Sequence, residues 1–169
     1  MFTTSLEDFQ IRFATVDDCG MILQFIRDLA EYEKLSNEAV ATEAQLREHL
    51  FGEHPKAEVL IGQQAGRPVG FALFFHTFST FLGRPGIYLE DLFVIPEARG
   101  KGYGKALLTC LARIAVDRDC GRLEWCVLDW NQPAIDFYQS LGAKTMNGWL
   151  INRATGEALQ DMAEKFNAG

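Results

Sequence analysis

The chain has 169 residues, 16 of them Lys or Arg and 23 Asp or Glu, for a formal net charge of −7. Apolar residues at 48% and charged residues at 23% are ordinary globular proportions, which excludes the disordered and fibrous classes. The acidic balance argues against DNA or RNA as the main ligand, because such binders concentrate Lys and Arg. No run approaches the ~20 apolar residues of a membrane helix, and residues 1–8 lack the basic and apolar regions of a signal peptide. The four cysteines (Cys19, Cys110, Cys120 and Cys126) form no C-x-x-C pair. They read as free thiols in a reducing cytoplasm, with Cys110 and Cys126 as small core residues. His49, His54 and His76 are scattered, and no metal is assigned.

The length predicts one domain spanning residues 1–169, with a core over about 9–151. Period-two alternation over residues 9–14 predicts a first strand. Thr15 and Asp17 offer N-caps to a helix whose Ile22, Phe25, Ile26, Leu29 and Tyr32 recur at three- and four-residue spacing. Thr42-Glu43-Ala44-Gln45 is a capping box for a helix to about residue 50. Apolar runs at 58–62 and 68–77, separated by a Gly-containing turn, predict a hairpin, and residues 87–94 the strand after it. A glycine-rich loop then leads into a helix over about 104–118. A short strand at 123–128 and a helix from Asn131-Gln132-Pro133 to about Ser140 follow. Residues 144–151 read as a last strand and 156–166 as an amphipathic helix. The order describes an α/β fold with a mixed, mostly antiparallel sheet of six to seven strands flanked by helices.

The chemically informative segment is Arg99-Gly100-Lys101-Gly102-Tyr103-Gly104-Lys105, between a strand and an apolar helix. Such a loop lets backbone N–H groups approach an anion with the helix's positive end behind them, and Arg99, Lys101 and Lys105 add charge. The glycines alone leave a phosphate cradle and a ligand-free turn equally open. G-x-G-x-x-G fails because Lys105 stands in place of the third glycine, and no glycine-lysine-hydroxyl triplet exists.

Arg-x-x-Gly-x-Gly at Arg99 to Gly104 resembles the acetyl-CoA pyrophosphate loop of the GNAT N-acetyltransferase superfamily. Asn131-x-Pro133-Ala134-x-x-Phe137-Tyr138 resembles that superfamily's second cofactor segment. Leu29-Ala30-x-Tyr32-Glu33, Phe51-Gly52-Glu53-His54-Pro55, Tyr88-Leu89-Glu90-Asp91 and Trp130-Asn131-x-Pro133 narrow the likeness. Together they are similar to the diamine acetyltransferases, the spermidine/spermine N1-acetyltransferase group and its thialysine-acetylating relatives. The likeness spans roughly residues 11–151.

The resemblance implies acetyl-CoA as co-substrate and direct transfer to a primary amine of a small cationic metabolite such as a diamine or polyamine. A thialysine- or lysine-like amino acid, or a protein amine, is the alternative, and a non-catalytic acetyl-CoA-binding module is the reading from another class. It assigns Tyr138 as the acid beside the sulfur and Glu90 as the group that contacts the amine and helps deprotonate it. Backbone groups of Leu92, Phe93 and Val94 pair with the pantetheine arm. The loop from Arg99 through Gly100, Lys101, Gly102, Tyr103 and Gly104 to Lys105 cradles the pyrophosphate. Asn131, Gln132, Pro133 and Ala134 touch the cofactor, and Tyr32, Glu33, Glu124, Trp125 and Cys126 line the amine site. The family's habit implies a homodimer.

Glu90 and Asp91 are neighbours on a strand, so alternation predicts opposite faces, with at most one on the substrate side. Asp91 stays open between a substrate role and a turn cap or ion pair. Eight acids against three bases lie between Asp28 and Glu58, which is −5 of the −7. The chain departs from the group where Met146-Asn147 precede Gly148-Trp149 in place of acids, at Ser140 in place of a base, and at Phe81-Leu82-Gly83 in place of a tryptophan turn. Losing an acid disfavours long tetra-amines.

Overall fold

A computed structural model of the chain describes residues 1–167. The last two residues of the predicted domain lie outside the described ones. The chain divides into two compact units, 1–126 and 127–169.

The first unit is built on one six-stranded sheet in the order β1 to β6. Its strands are β1 (Phe2–Thr3), β2 (Phe9–Phe13), β3 (Glu58–Gln64), β4 (Arg67–Ser79), β5 (Arg84–Val94) and β6 (Leu123–Trp125). All neighbours are antiparallel except β5 and β6, which are parallel. β1, too short to carry a sequence signal, extends the sheet by pairing Phe2 with Ile11. The helices are α1 (Cys19–Tyr32), α2 (Glu43–Phe51) and α3 (Tyr103–Asp117).

Thr15 and Thr42 stand at N-caps as predicted, whereas Asp17 falls inside a 3-10 turn and Asp18 takes the N-cap position of α1. Thr15 starts a 3-10 turn, Val16–Asp18, before α1 begins at Cys19. Asp18 is buried there because its carboxylate takes two bonds from Arg12, at 2.7 and 2.8 Å, and one from the Thr15 N–H at 2.7 Å. Thr42 and Gln45 close the capping box of α2.

On one side of the sheet Ile22, Phe25 and Leu50 of the first two helices pack against Val59, Ile61, Phe71 and Phe93. α3 buries Leu107, Leu111 and Ile114, and its Tyr103 ring stacks on Phe9 at 4.1 Å. Gly70 sits where a Cβ would meet the Phe93 carbonyl at 2.5 Å, so a glycine is required for β4 to approach β5 this closely.

The second unit contains α4 (Gln132–Ser140) and α5 (Glu157–Glu164), followed by a short 3-10 turn. Asn131 is buried and caps α4, accepting from the Ala134 N–H, with Pro133 in the first turn. The expected strand over 144–151 is absent, which leaves the sheet at six strands. An extended segment is held only by a partner ladder, and none of the described strands pairs with this one. Trp149, Leu150 and Ile151 are 76%, 88% and 72% exposed. β6 is also shorter than 123–128, ending where its pairing ends, at Leu89 opposite Trp125.

Candidate active site

β5 organises the site. Along it, Phe93 pairs with Phe71, Leu92 with Ala72 and Asp91 with Leu73, but Leu89 pairs with Phe74, so Glu90 is an extra residue opposite no partner. This bulge overturns simple alternation. Directly paired residues share a face, so Asp91 lies with Leu73, Phe71 and Phe93 on the side covered by α1. Past the bulge the parity flips, and Tyr88, paired with Phe75, lies on that same side, with ring centroids 5.3 Å apart. Glu90 is exposed between them, and its charge acts on both. The bulge places Asp91 on the α1 side and leaves Glu90 exposed beside it.

Beyond Leu89 no described strand pairs with the other edge of β5. Residues 90–94 thus offer backbone groups to an extended ligand, as a strand edge offers them to an added strand. This fits the part predicted for Leu92, Phe93 and Val94. The Phe93 side chain is core, 6.3 Å from the Phe25 ring.

The acidic residues are more dispersed than their clustering in sequence implied. Arg47 takes Glu43, and Arg118 makes a two-pronged pair with Glu58, one contact at 2.8 Å. Of the eight, Glu33, the residue capping the C-terminal end of α1, acts on Asp91. Burial raises the Glu33 carboxyl above its ordinary value. Asp91 is half-buried and pushed up to about 6 by burial first, then by the charges of Glu90 and Glu33.

Tyr88 donates to the Cys126 sulfur at 3.0 Å, and burial together with this bond holds its phenol protonated. Cys126 is exposed just past β6, which corrects its reading as a core residue. Glu124 is paired to Arg122 at 2.7 Å. Trp125 ends β6 opposite Leu89 and is half-buried.

The glycine loop enters α3 with Gly100 at φ +76 and Gly102 at φ +85, the latter as N-cap. Both lie in the left-handed region that side chains resist. The helix's first N–H groups are left for a ligand, with Lys101 and Lys105 exposed beside them. This geometry suits a pyrophosphate. Two of the predicted contacts behave differently from expectation. The Tyr103 side chain is buried on Phe9, so only its backbone is available. Arg99 donates its Nε–H to the Val94 carbonyl at 2.9 Å and lies over the Tyr32 ring at 4.6 Å and the Phe93 ring at 5.4 Å. It links the loop to the end of α1, a role that loop composition did not reveal.

Within the second unit, Tyr138 is half-buried on α4 with its ring 5.2 Å from that of Phe137. Gln132 and Pro133 are exposed and Ala134 is half-buried in the first turn of α4. Among the described residues no three His, Cys, Asp or Glu side chains gather to hold a metal ion.

The chain is similar to known proteins over most of its length. The acetyltransferase (GNAT) family model matches residues 23–143. A thialysine N-epsilon-acetyltransferase from Bos taurus is 42% identical over 166 residues, covering 92% of this chain and 97% of its own. An L-ornithine N5-acetyltransferase from Arabidopsis thaliana is 33% identical over 203 residues, covering 94% of this chain and 89% of its own. Among solved structures, an integron cassette protein from the mobile metagenome of V. cholerae shares the fold with a TM-score of 0.78 at 29% identity, over 92% of this chain and 98% of that one. An open strand edge, a glycine loop on a helix N-terminus and an acidic face beside them belong, in this chain, to an acetyl-transferring enzyme of the acetyltransferase (GNAT) family.

Proposed function

We propose that the chain transfers the acetyl group of acetyl-CoA to a terminal primary amine of a small cationic metabolite, in one step within a ternary complex. The half-buried Asp91 on the α1 side of β5, acted on by the charges of Glu90 and Glu33 beside the strand's free edge, is the observation that carries this reading. A short amino acid with a side-chain amine is the substrate class favoured over long polyamines. The names of the bovine and plant relatives support it. So does the sequence Met146-Asn147 where the polyamine enzymes carry acids.

Acyl transfer from a thioester to an amine makes three demands. The ammonium, with an ordinary pKa of about 10.4, must lose a proton; the carbonyl oxygen needs donors; and the departing thiolate needs a proton. Glu90 contacts the amine and helps its deprotonation through water. Backbone N–H groups of the free edge at Leu92 to Val94 hold the thioester arm, and the loop from Gly100 to Lys105 holds the pyrophosphate. Asn131 to Ala134 touch the cofactor. Tyr32 and Glu33, with Trp125 and Cys126, line the amine side, and Tyr138 gives the sulfur its proton. The family match, which extends from one unit into the other, supports reading the whole chain as a single N-acetyltransferase domain.

The exposed run Trp149, Leu150 and Ile151 supports a second copy of the chain as partner, to be measured by light scattering. Four unpaired thiols support a reducing, cytoplasmic setting. No helix among the described residues is long and apolar enough to cross a membrane. A thiol-release assay over thialysine, lysine, ornithine, putrescine, spermidine and spermine tests the substrate class. Turnover is expected with the amino acids, and release with spermine alone overturns the preference.

A further inference from the structure

Asp91 occupies an unusual place for a carboxylate. The bulge at Glu90 sets it opposite Leu73 and two residues from Phe93, on the side of the sheet that packs against α1. None of the hydrogen bonds or ion pairs of the described residues holds its oxygens. The groups whose charge reaches it, Glu90 on its own strand and Glu33 at the end of α1, are both of its own sign. Neither Glu90 nor Glu33 brings a positive charge to it. Arg99 is committed to the Val94 carbonyl and to the rings of Tyr32 and Phe93. Glu124 is paired with Arg122, and Tyr88 is a protonated donor to the exposed Cys126. A half-buried carboxylate acted on by two others of its own sign is costly unless a cation completes the arrangement. An alkylammonium, with three N–H donors and one positive charge, is the group of matching chemistry.

We propose that Asp91 is the proton acceptor for the incoming amine, with Glu33 and Glu90 holding the cation over it. The inference rests on the acetyl-transfer reading above and deepens it at the same site. An N–H bond of the ammonium breaks, and its proton passes to an Asp91 oxygen. The freed nitrogen lone pair forms the bond to the thioester carbonyl carbon as the carbon–sulfur bond breaks. The second proton shed by nitrogen ends on the departing sulfur by way of the acid assigned at Tyr138, which finishes as it began. Asp91 passes the first proton to solvent through exposed Glu90. A carboxylate pushed up to about 6 suits this work, since a base is most effective with its pKa near the working pH. Glu33 serves as a positioning residue, because its charge helps set that value.

The test is the pH dependence of kcat/KM for the best amine, measured with wild type, Asp91→Asn and Glu33→Gln, beside calorimetric acetyl-CoA binding and thermal melting of each. Wild type should lose kcat/KM below about pH 6, as the free enzyme's base becomes protonated. Asp91→Asn should lower kcat by roughly 10²–10⁴-fold and abolish that limb, with acetyl-CoA affinity unchanged and a Tm at or above wild type. Glu33→Gln should raise KM for the amine and move the limb to lower pH, because one repelling charge is gone. This second variant decides the matter should Asp91→Asn fail to fold. Asp91→Asn retaining wild-type kcat and the same limb overturns the assignment while leaving the acetyltransferase reading intact. Wild type that binds acetyl-CoA yet acetylates no amine overturns both.

Discussion

Replacing Asp91 by asparagine keeps the shape of the side chain and removes its charge, so the structure predicts a stability change with a distinctive pH dependence. An aspartate ordinarily titrates near 3.8, whereas Asp91 is pushed up to about 6, first by burial and then by Glu90 and Glu33. A difference of that size corresponds to about 3 kcal/mol against the charged form in the folded state. The folded chain binds the proton more tightly than the unfolded chain, so stability falls as pH rises between about 4 and 6. Below that window both states are protonated and the cost is absent; above it the cost is complete. Asp91→Asn should therefore match wild type near pH 4 and exceed it by about 2–3 kcal/mol at pH 7.5. Urea unfolding at a series of pH values measures this, with the m-value unchanged because the same surface is exposed. A variant that is less stable at pH 7.5, or shifted by the same amount at every pH, refutes the placement of Asp91 among carboxylates on an apolar floor. A variant more stable and much less active is what a group retained for function against a folding cost should give.

Other perturbations bear on separate parts of the account. Tyr138→Phe should cut turnover by roughly 10²–10⁴-fold while leaving acetyl-CoA affinity within about twofold, as steady-state kinetics and calorimetry will show. Gly102→Ala forces a side chain into φ +85 at the N-cap of α3; it should cost about 1–2 kcal/mol in chemical unfolding and weaken acetyl-CoA binding. Asp18→Ala strands the Arg12 guanidinium and uncaps the 3-10 turn; the loss should be about 3 kcal/mol at neutral pH. The Asp18 carboxyl is held below its ordinary value, chiefly by the bond from Arg12. Its contribution is thus present above about pH 4 and lost on acidification through the folded-state value, so wild type and variant should converge in acid melts.

The elements that sequence revealed well are those written in local chemistry. Thr42 and Gln45 announce α2, Asn131 and Pro133 announce α4, and the glycines before α3 announce a turn that needs positive φ. The errors came from pairing, which is not local. Residues 144–151 carry strand-like apolar character, but a strand exists only where another chain segment offers its backbone. The bulge at Glu90 depends on how β4 meets β5, and no residue type at positions 89–91 signals it. That one extra residue decides which side chains share a face with Asp91. The charge count between Asp28 and Glu58 is uneven in meaning: Arg47 and Arg118 neutralise two of those acids, whereas the charge of Glu33 acts on Asp91. The place of Arg99 in the loop points to phosphate charge; its stacking on Tyr32 depends on where the end of α1 lies in space.

The central claim, acetyl transfer to a small amine over the acidic face of β5, is tested most directly by following CoA thiol release with purified chain, acetyl-CoA and single amines at saturating concentration. Turnover is expected with at least one of thialysine, lysine and ornithine, with an acetyl group found on the terminal side-chain nitrogen by mass spectrometry. Tight binding of acetyl-CoA with no thiol released above the hydrolytic background for any amine would contradict it.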